Sequence, residues 1–228
     1  MARNLISSIM RLFRREILVL GDSHSYVFNQ ESLQKSFPKY VFRVVAVHGA
    51  TVSGLENPNS KTQALPIFIN HCKKSRAQTA LVLLGEVDTG FVIWYRAEKY
   101  NTSVEQMLSK ALENYQRFLK TLSERFRVIC ISAPLPTIQD GQDWGEVANA
   151  RKDVKATQLQ RTELTIQFNK LMQGYCEAHQ IPYLSLDRET LGANGLVDDQ
   201  LLNSDVTDHH YDMSKYANLI TDKLNGLI

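Results

Sequence analysis

The apolar run Ile17-Leu18-Val19-Leu20, ended abruptly by Gly21-Asp22-Ser23-His24, constrains this chain more than any other feature. Consecutive apolar residues without polar alternation describe a strand buried on both faces, as inside a parallel sheet. Gly21 permits a sharp exit, and a helix can begin from Ser25. A serine on such a strand-to-helix turn lies where backbone N–H groups and the helix dipole favour developing negative charge. That placement suits an acyl-transfer nucleophile. It equally suits a plain helix cap, because Asp22 and Ser23 are both good capping residues.

The same pattern recurs along the chain. Apolar runs mark strands at Glu16–Leu20, Val41–Val47, Thr79–Leu84, Phe126–Ser132 and Pro182–Leu186. Between and after them, helical spacing marks Ser25–Ser36, Gln63–Lys74, Ser103–Arg125, Ala156–His179 and Asp212–Leu227. The helix at Ser103 has a start signal, since Gln106 three residues on approximates a capping box. Alternating strands and helices imply a parallel sheet covered by helices on both faces. Two long connections read as loops. Thr89–Tyr100 carries Phe91, Trp94 and Arg96, suited to stacking on a sugar ring and pairing with an anion. Ala133–Lys155 follows the fourth strand and reads as a lid or partner surface. The aromatics also suit a plug at the core edge, and Arg96 an ordinary ion pair.

Three further segments carry chemistry. Val47-His48-Gly49-Ala50-Thr51 and Leu84-Gly85-Glu86-Val87-Asp88 each follow an apolar run, which puts them at the carboxyl edge of the sheet, where ligands of open α/β folds bind. Asp208-His209-His210-Tyr211-Asp212 stands just before the last helix. A histidine base with its carboxylate orienter there completes a Ser–His–Asp set. His24 follows the serine and is expected to point away from it.

Taken together, these blocks resemble the SGNH (GDSL-like) hydrolase superfamily over nearly the whole chain. The resemblance implies a three-layer α/β/α sandwich on a five-stranded parallel sheet, with Ser23 as nucleophile and His210 as base. Gly49-Ala50-Thr51 is similar to the second family block, which implies that the N–H groups of Ser23 and Gly49 bind the oxyanion. Gly85-Glu86-Val87-Asp88 is similar to the third, with Val87 in place of the oxyanion asparagine. The family's Asp-x-x-His is replaced as well, since Thr207 stands at the acid position. The spacing Asp208-x-His210 resembles that of SGNH-like O-acetyltransferases and makes Asp208 the orienter, with Asp205 and His209 as a reserve pair. Asp22, Glu86, Asp88 and Arg96 are expected to bind substrate or support the site, Asp88 by hydrogen bonding to the nucleophile turn. The implied activity is ester hydrolysis or O-acyl transfer on a carbohydrate or small ester.

Composition excludes several classes. A formal net charge of +2 leaves no electrostatic footprint for nucleic acid. Hydrophobic residues at 43% over 228 positions suffice for one full α/β core, so residues 16–228 read as a single domain. Cys72, Cys130 and Cys176 are odd in number and far apart, and they read as reduced thiols of a cytoplasmic protein. Met1–Arg15 mixes four arginines with apolar residues, as in a short basic amphipathic segment capable of weak membrane-surface contact. No run reaches transmembrane length. The acyl-transfer chemistry calls for no cofactor and no metal. Two rival readings remain at this level. One is a non-catalytic binding protein on the same fold, motivated by Val87 and Thr207. The other is a metal-dependent phosphoesterase assembled from Asp22, His24, the Glu86–Asp88 segment and Asp208–His210.

Overall fold

The computed structural model describes residues 14–141 and 154–228. Its centre is β1 (Arg15–Gly21), where Ile17 to Leu20 are at most 1% exposed. Full burial of such side chains contributes about 1.5–3 kcal/mol each. A short 3₁₀ helix (Ser23–Asn29) follows, then α1 (Glu31–Ser36), β2 (Tyr40–Ala46), α2 (Val52–Leu55), α3 (Ala64–Lys74) and β3 (Thr79–Leu83). A π turn (Asp88–Val92) leads into α4 (Ile93–Lys99), followed by α5 (Val104–Ser123), β4 (Arg127–Ile131) and α6 (Gln158–Ala178). The chain closes with β5 (Tyr183–Leu184), α7 (Asp187–Thr190), a 3₁₀ turn (Asp199–Leu201) and α8 (Met213–Leu224).

The five strands are parallel in the order β2-β1-β3-β4-β5. The five-stranded parallel sheet is thus as the sequence implies. This order makes β1 the strand from which the chain winds both ways, so a crevice opens beyond its carboxyl end. There Gly21 pairs with Ala46 on one side and Leu83 on the other.

Strand alternation divides the core in two. Leu18 and Leu20 face Ala80, Val82, Val128 and Cys130 under α3, α4, α5 and α6. Ile17 and Val19 face Leu81, Leu83, Ile129 and Ile131 under the first 3₁₀ helix, α1 and α8. Helices therefore cover both sheet faces, giving three layers. Cys72, Cys130 and Cys176 are all buried free thiols.

Local differences from the sequence reading have local causes. Ser25–Ser36 is not one helix. Gln30 adopts φ −63°, ψ 130°, which ends the 3₁₀ segment and restarts the chain as α1. The Thr89–Tyr100 loop is instead the π turn and α4, held by burial of Ile93 and Ala97 at helical spacing. The start of α6 carries a full capping box between Thr157 and Gln160. In the expected lid, Leu135 and Ile138 are buried, whereas residues 142–153 lie outside the described residues, as do 1–13 of the amphipathic segment. Among the described residues no helix is long and apolar enough to cross a membrane.

Gly21 is required by close approach. A Cβ there would sit 2.4 Å from the Leu83 carbonyl oxygen and 2.9 Å from Ser25 Cβ. Gly21→Ala is expected to lower stability by about 1–3 kcal/mol in urea denaturation. Gly174→Ala in α6, where a Cβ meets nothing within 4 Å, is the control and is expected to stabilise by about 0.4–1 kcal/mol.

Candidate active site

The 3₁₀ winding after Gly21 sets the direction of three consecutive side chains. Asp22 caps the segment: its Oδ1 accepts from the His24 backbone N–H and contacts His24 Nδ1, both at 2.9 Å. Ser25 Oγ donates to the Asp22 carbonyl at 2.6 Å. Ser23 lies between these anchors, 6% exposed, with its hydroxyl on the crevice side.

The partner of Ser23 comes from the other end of the chain. A bridge between Leu202 and Tyr211 closes the loop that carries Asp208, His209 and His210. Two contacts pin this loop to the segment after β4. The Leu135 N–H donates to Tyr211 Oη at 2.6 Å, and Thr137 Oγ1 donates to the His209 carbonyl at 2.5 Å. So held, His210 places Nε2 2.8 Å from Ser23 Oγ. Its Nδ1 lies 2.5 Å from Asp208 Oδ1, which also accepts the His210 backbone N–H at 2.9 Å. Asn203 Nδ2 donates to the other Asp208 oxygen at 3.0 Å. Asn203 had no sequence signal, because it belongs to neither a periodic element nor a motif.

The electrostatics follow from this packing. Burial, then the neighbouring His24 ring, lower the His210 pKa below its ordinary 6.5, against the opposing pull of Asp208 and Glu86. Burial works against ionised Asp208, but the His210 N–H and imidazole outweigh it and hold the carboxyl low. At neutral pH the pair is therefore a neutral imidazole on a carboxylate.

The remaining candidates take other places. Asp205 accepts from the Thr207 N–H at 2.9 Å and from its hydroxyl at 2.7 Å. The Asp205 carboxylate of the reserve pair is thus engaged in a tight local turn. His24 does not point away. It is buried, with its ring centroid 4.7 Å from that of His210 and 5.7 Å from that of His209. The Asp22 contact turns it inward, a consequence of 3₁₀ geometry that helical spacing does not reveal. Gly49 adopts φ +67° in an exposed turn that closes with the Ala50 N–H on the Val47 carbonyl, at 3.0 Å. Val87 is half-buried and brings no polar side chain. Glu86 is buried, near enough for its charge to act on His210.

Asp88 departs from its expected bond to the nucleophile turn. Its two oxygens accept the N–H groups of Val52 at 2.8 Å and Ser53 at 2.9 Å, so it anchors the start of α2 behind Gly49. The reason is proximity: α2 begins with unpaired amides, and a buried carboxylate satisfies two of them. Complete burial pushes the carboxyl up to about 6, moderated by the Ser53 and Val52 bonds and the Arg96 charge. Arg96 Nη1 donates to the Ser53 carbonyl at 3.3 Å and so braces the same turn. Trp94 Nε1 donates to the Thr89 carbonyl at 2.7 Å, and Phe91 stacks on Tyr95.

The three imidazoles of His24, His209 and His210 form one cluster, with ligand atoms all within 4.8 Å of one another. The carboxylates of the phosphoesterase reading take other partners, while its three histidines converge. Asp88 is spent on amides, and Asp22 and Asp208 on imidazoles.

The sequence matches no family model and no curated protein. Solved structures do resemble the chain. A Bacteroides fragilis protein provisionally assigned as an acylhydrolase superposes with TM-score 0.60 at 11% identity, over 97% of this chain and 92% of that one. A GDSL-like lipase from Bacteroides thetaiotaomicron gives TM-score 0.59 at 13% identity, over 93% and 87%. An extracellular lipase from Streptomyces rimosus gives 0.52 at 13% identity, over 92% and 99%. The fold is that of the GDSL-like (SGNH) hydrolases, an α/β architecture on five parallel strands.

Asp88→Ala orphans two buried amides and is expected to cost about 1–3 kcal/mol for each. Chemical denaturation checks this. Asp88→Asn, which retains one acceptor, is expected to cost less.

Proposed function

We propose that this protein is a serine-dependent acyl-ester hydrolase. The observation that carries the reading is the continuous chain Ser23 Oγ, His210 Nε2, His210 Nδ1 and Asp208 Oδ1, with links of 2.8 and 2.5 Å. Three side chains from opposite ends of the sequence meet in the order that nucleophilic acyl transfer needs.

In this mechanism Ser23 Oγ attacks the ester carbonyl carbon while its proton passes to His210 Nε2. Asp208 holds the imidazole in the tautomer that presents Nε2 as acceptor, and stabilises the imidazolium that forms. The depressed His210 pKa keeps the base neutral at pH 7, which favours proton uptake from the start. The tetrahedral oxyanion is assigned to the backbone N–H groups of Ser23 and Gly49. Asp88 and Arg96 support Gly49 indirectly, by fixing the turn that follows it. His210 then returns its proton to the leaving alkoxide. Water, deprotonated by the same base, attacks the acyl-enzyme and releases the acid.

With Val87 at the asparagine position, one side-chain donor fewer faces the oxyanion. Such a donor is worth on the order of 2.7–4 kcal/mol, so turnover is slow unless the substrate brings compensating contacts. The substrate class proposed is an O-acyl ester of a carbohydrate or comparable small alcohol. Its support is the Asp208-x-His210 spacing, similar to that of SGNH-like O-acetyltransferases. A sugar hydroxyl in place of water as acceptor turns the same acyl-enzyme into a transferase intermediate.

Intact-mass labelling with a fluorophosphonate is expected to give one adduct on the wild type and none on Ser23→Ala. A well-folded wild type that stays unlabelled would contradict the assignment. Asp208→Asn is expected to reduce ester turnover on the order of 10⁴-fold through loss of the correct tautomer. Asp205→Asn, whose carboxylate accepts from Thr207 and not from His210, is expected to leave turnover within a few-fold.

A further inference from the structure

We infer that His24, His209 and His210 form a binding site for a zinc-type divalent cation, and that occupancy of this site inhibits the protein. The first ground is orientation. His24 Nδ1 lies 2.9 Å from Asp22 Oδ1, and His210 Nδ1 lies 2.5 Å from Asp208 Oδ1. A carboxylate on one ring nitrogen fixes the tautomer, so that the other carries the lone pair, and this is the usual support of a metal-ligating histidine. Two such carboxylate-backed imidazoles stand with ring centroids 4.7 Å apart.

The second ground is convergence. His209 adds a third ring, 4.1 Å from that of His210, and the ligand atoms of all three lie within 4.8 Å of one another. Tetrahedral zinc with Zn–N bonds of about 2.0–2.1 Å needs nitrogens about 3.3 Å apart. Closure to that spacing requires rotation of the rings about their side-chain torsions, with the His209 backbone held at its carbonyl by Thr137. Three imidazoles favour zinc, nickel or copper, whereas magnesium and calcium require oxygen ligands. Ser23 Oγ, 2.8 Å from His210 Nε2, occupies the lone pair that a cation would take, so the hydroxyl turns aside when one binds.

The consequence for activity follows from one atom. Nε2 of His210 cannot ligate a cation and accept the Ser23 proton at once. Binding and ester cleavage therefore compete, and removal of the cation restores the base. The inhibition rests on the acyl-transfer reading of Ser23, whereas the binding site does not.

The test separates the two. Zinc affinity is measured by competition with a chromophoric chelator on metal-stripped protein, and coordination by the visible bands of the cobalt(II) form. One equivalent is expected to bind at micromolar zinc or below, with tetrahedral cobalt bands, in wild type and in Ser23→Ala alike. His209→Ala and His24→Asn are each expected to weaken binding at least tenfold. His209→Ala serves even if the buried His24 variant fails to fold. Stoichiometric binding absent from folded wild type, octahedral cobalt bands, or affinity unchanged in His209→Ala would overturn the site. In the activity arm, the zinc concentration that halves turnover is expected to rise at least tenfold in His209→Ala, with millimolar magnesium inert and chelator restoring the wild type. Full turnover by zinc-loaded protein would overturn the inhibition while leaving the site standing. Absence of ester turnover would count against the acyl-transfer reading alone, because the binding arm needs no substrate.

Discussion

The structure depends on β1 being flanked in parallel by both β2 and β3. Such a strand is apolar on both faces and uses its backbone bonds on both edges, so it cannot carry function along its length. It can carry function only where it stops. The pairing ends at Gly21, with Ala46 and Leu83 on either side, and the chain leaves between two neighbours that wind in opposite directions. Ser23 stands just beyond that end, because the first polar residues after the core are placed where the pairing stops.

Around Ser23, the buried carboxylates of Asp22 and Asp88 and the partly exposed one of Asp208 act as acceptors for groups whose positions matter. Asp22 takes the His24 amide and ring, Asp88 takes two amides of the turn behind Gly49, and Asp208 takes the His210 amide and ring. None is spent on an isolated ion pair. This arrangement trades desolvation for positional definition: each carboxylate accepts at least two bonds, which offsets its burial and leaves its ligand little freedom. The elevated pKa of Asp88 is the residue of that exchange, where burial exceeds what two amides and Arg96 return. The His210 loop is held in the same way from outside, through the bonds of Leu135 and Thr137 to Tyr211 and His209.

How far the sequence discloses such a site depends on the range of each interaction. The strand runs, the glycine exit and the long helices were legible because their signals are periodic or adjacent. The Asp208–His210 contact spans two residues and follows the spacing that resembles the O-acetyltransferases, although spacing alone leaves Asp205 and His209 open. The inward turn of His24 was missed, since a 3₁₀ step and a 3.6-residue helix send the residue after Ser23 in different directions. The use of Asp88 is not legible in sequence, because its partners stand 35 and 36 residues away and nothing local ranks one set of unpaired amides above another. The segment after Asp88 reads as a loop in sequence because its aromatics obscure a helix held by two buried residues, Ile93 and Ala97.

The linear chain discloses the class of architecture and the turn that carries Ser23, and its family resemblance favours Asp208 over Asp205 as the partner of a histidine. Hydrophobic period, turn chemistry and contacts two residues apart need no knowledge of the rest of the chain. The tertiary structure alone decided that Ser23 meets His210 across 187 residues, that Asp205 stays in its own turn, and that His24 joins the two neighbouring imidazoles. Those outcomes depend on side-chain direction and on which loops dock. Packing of distant segments sets both, and a one-dimensional pattern does not encode it locally.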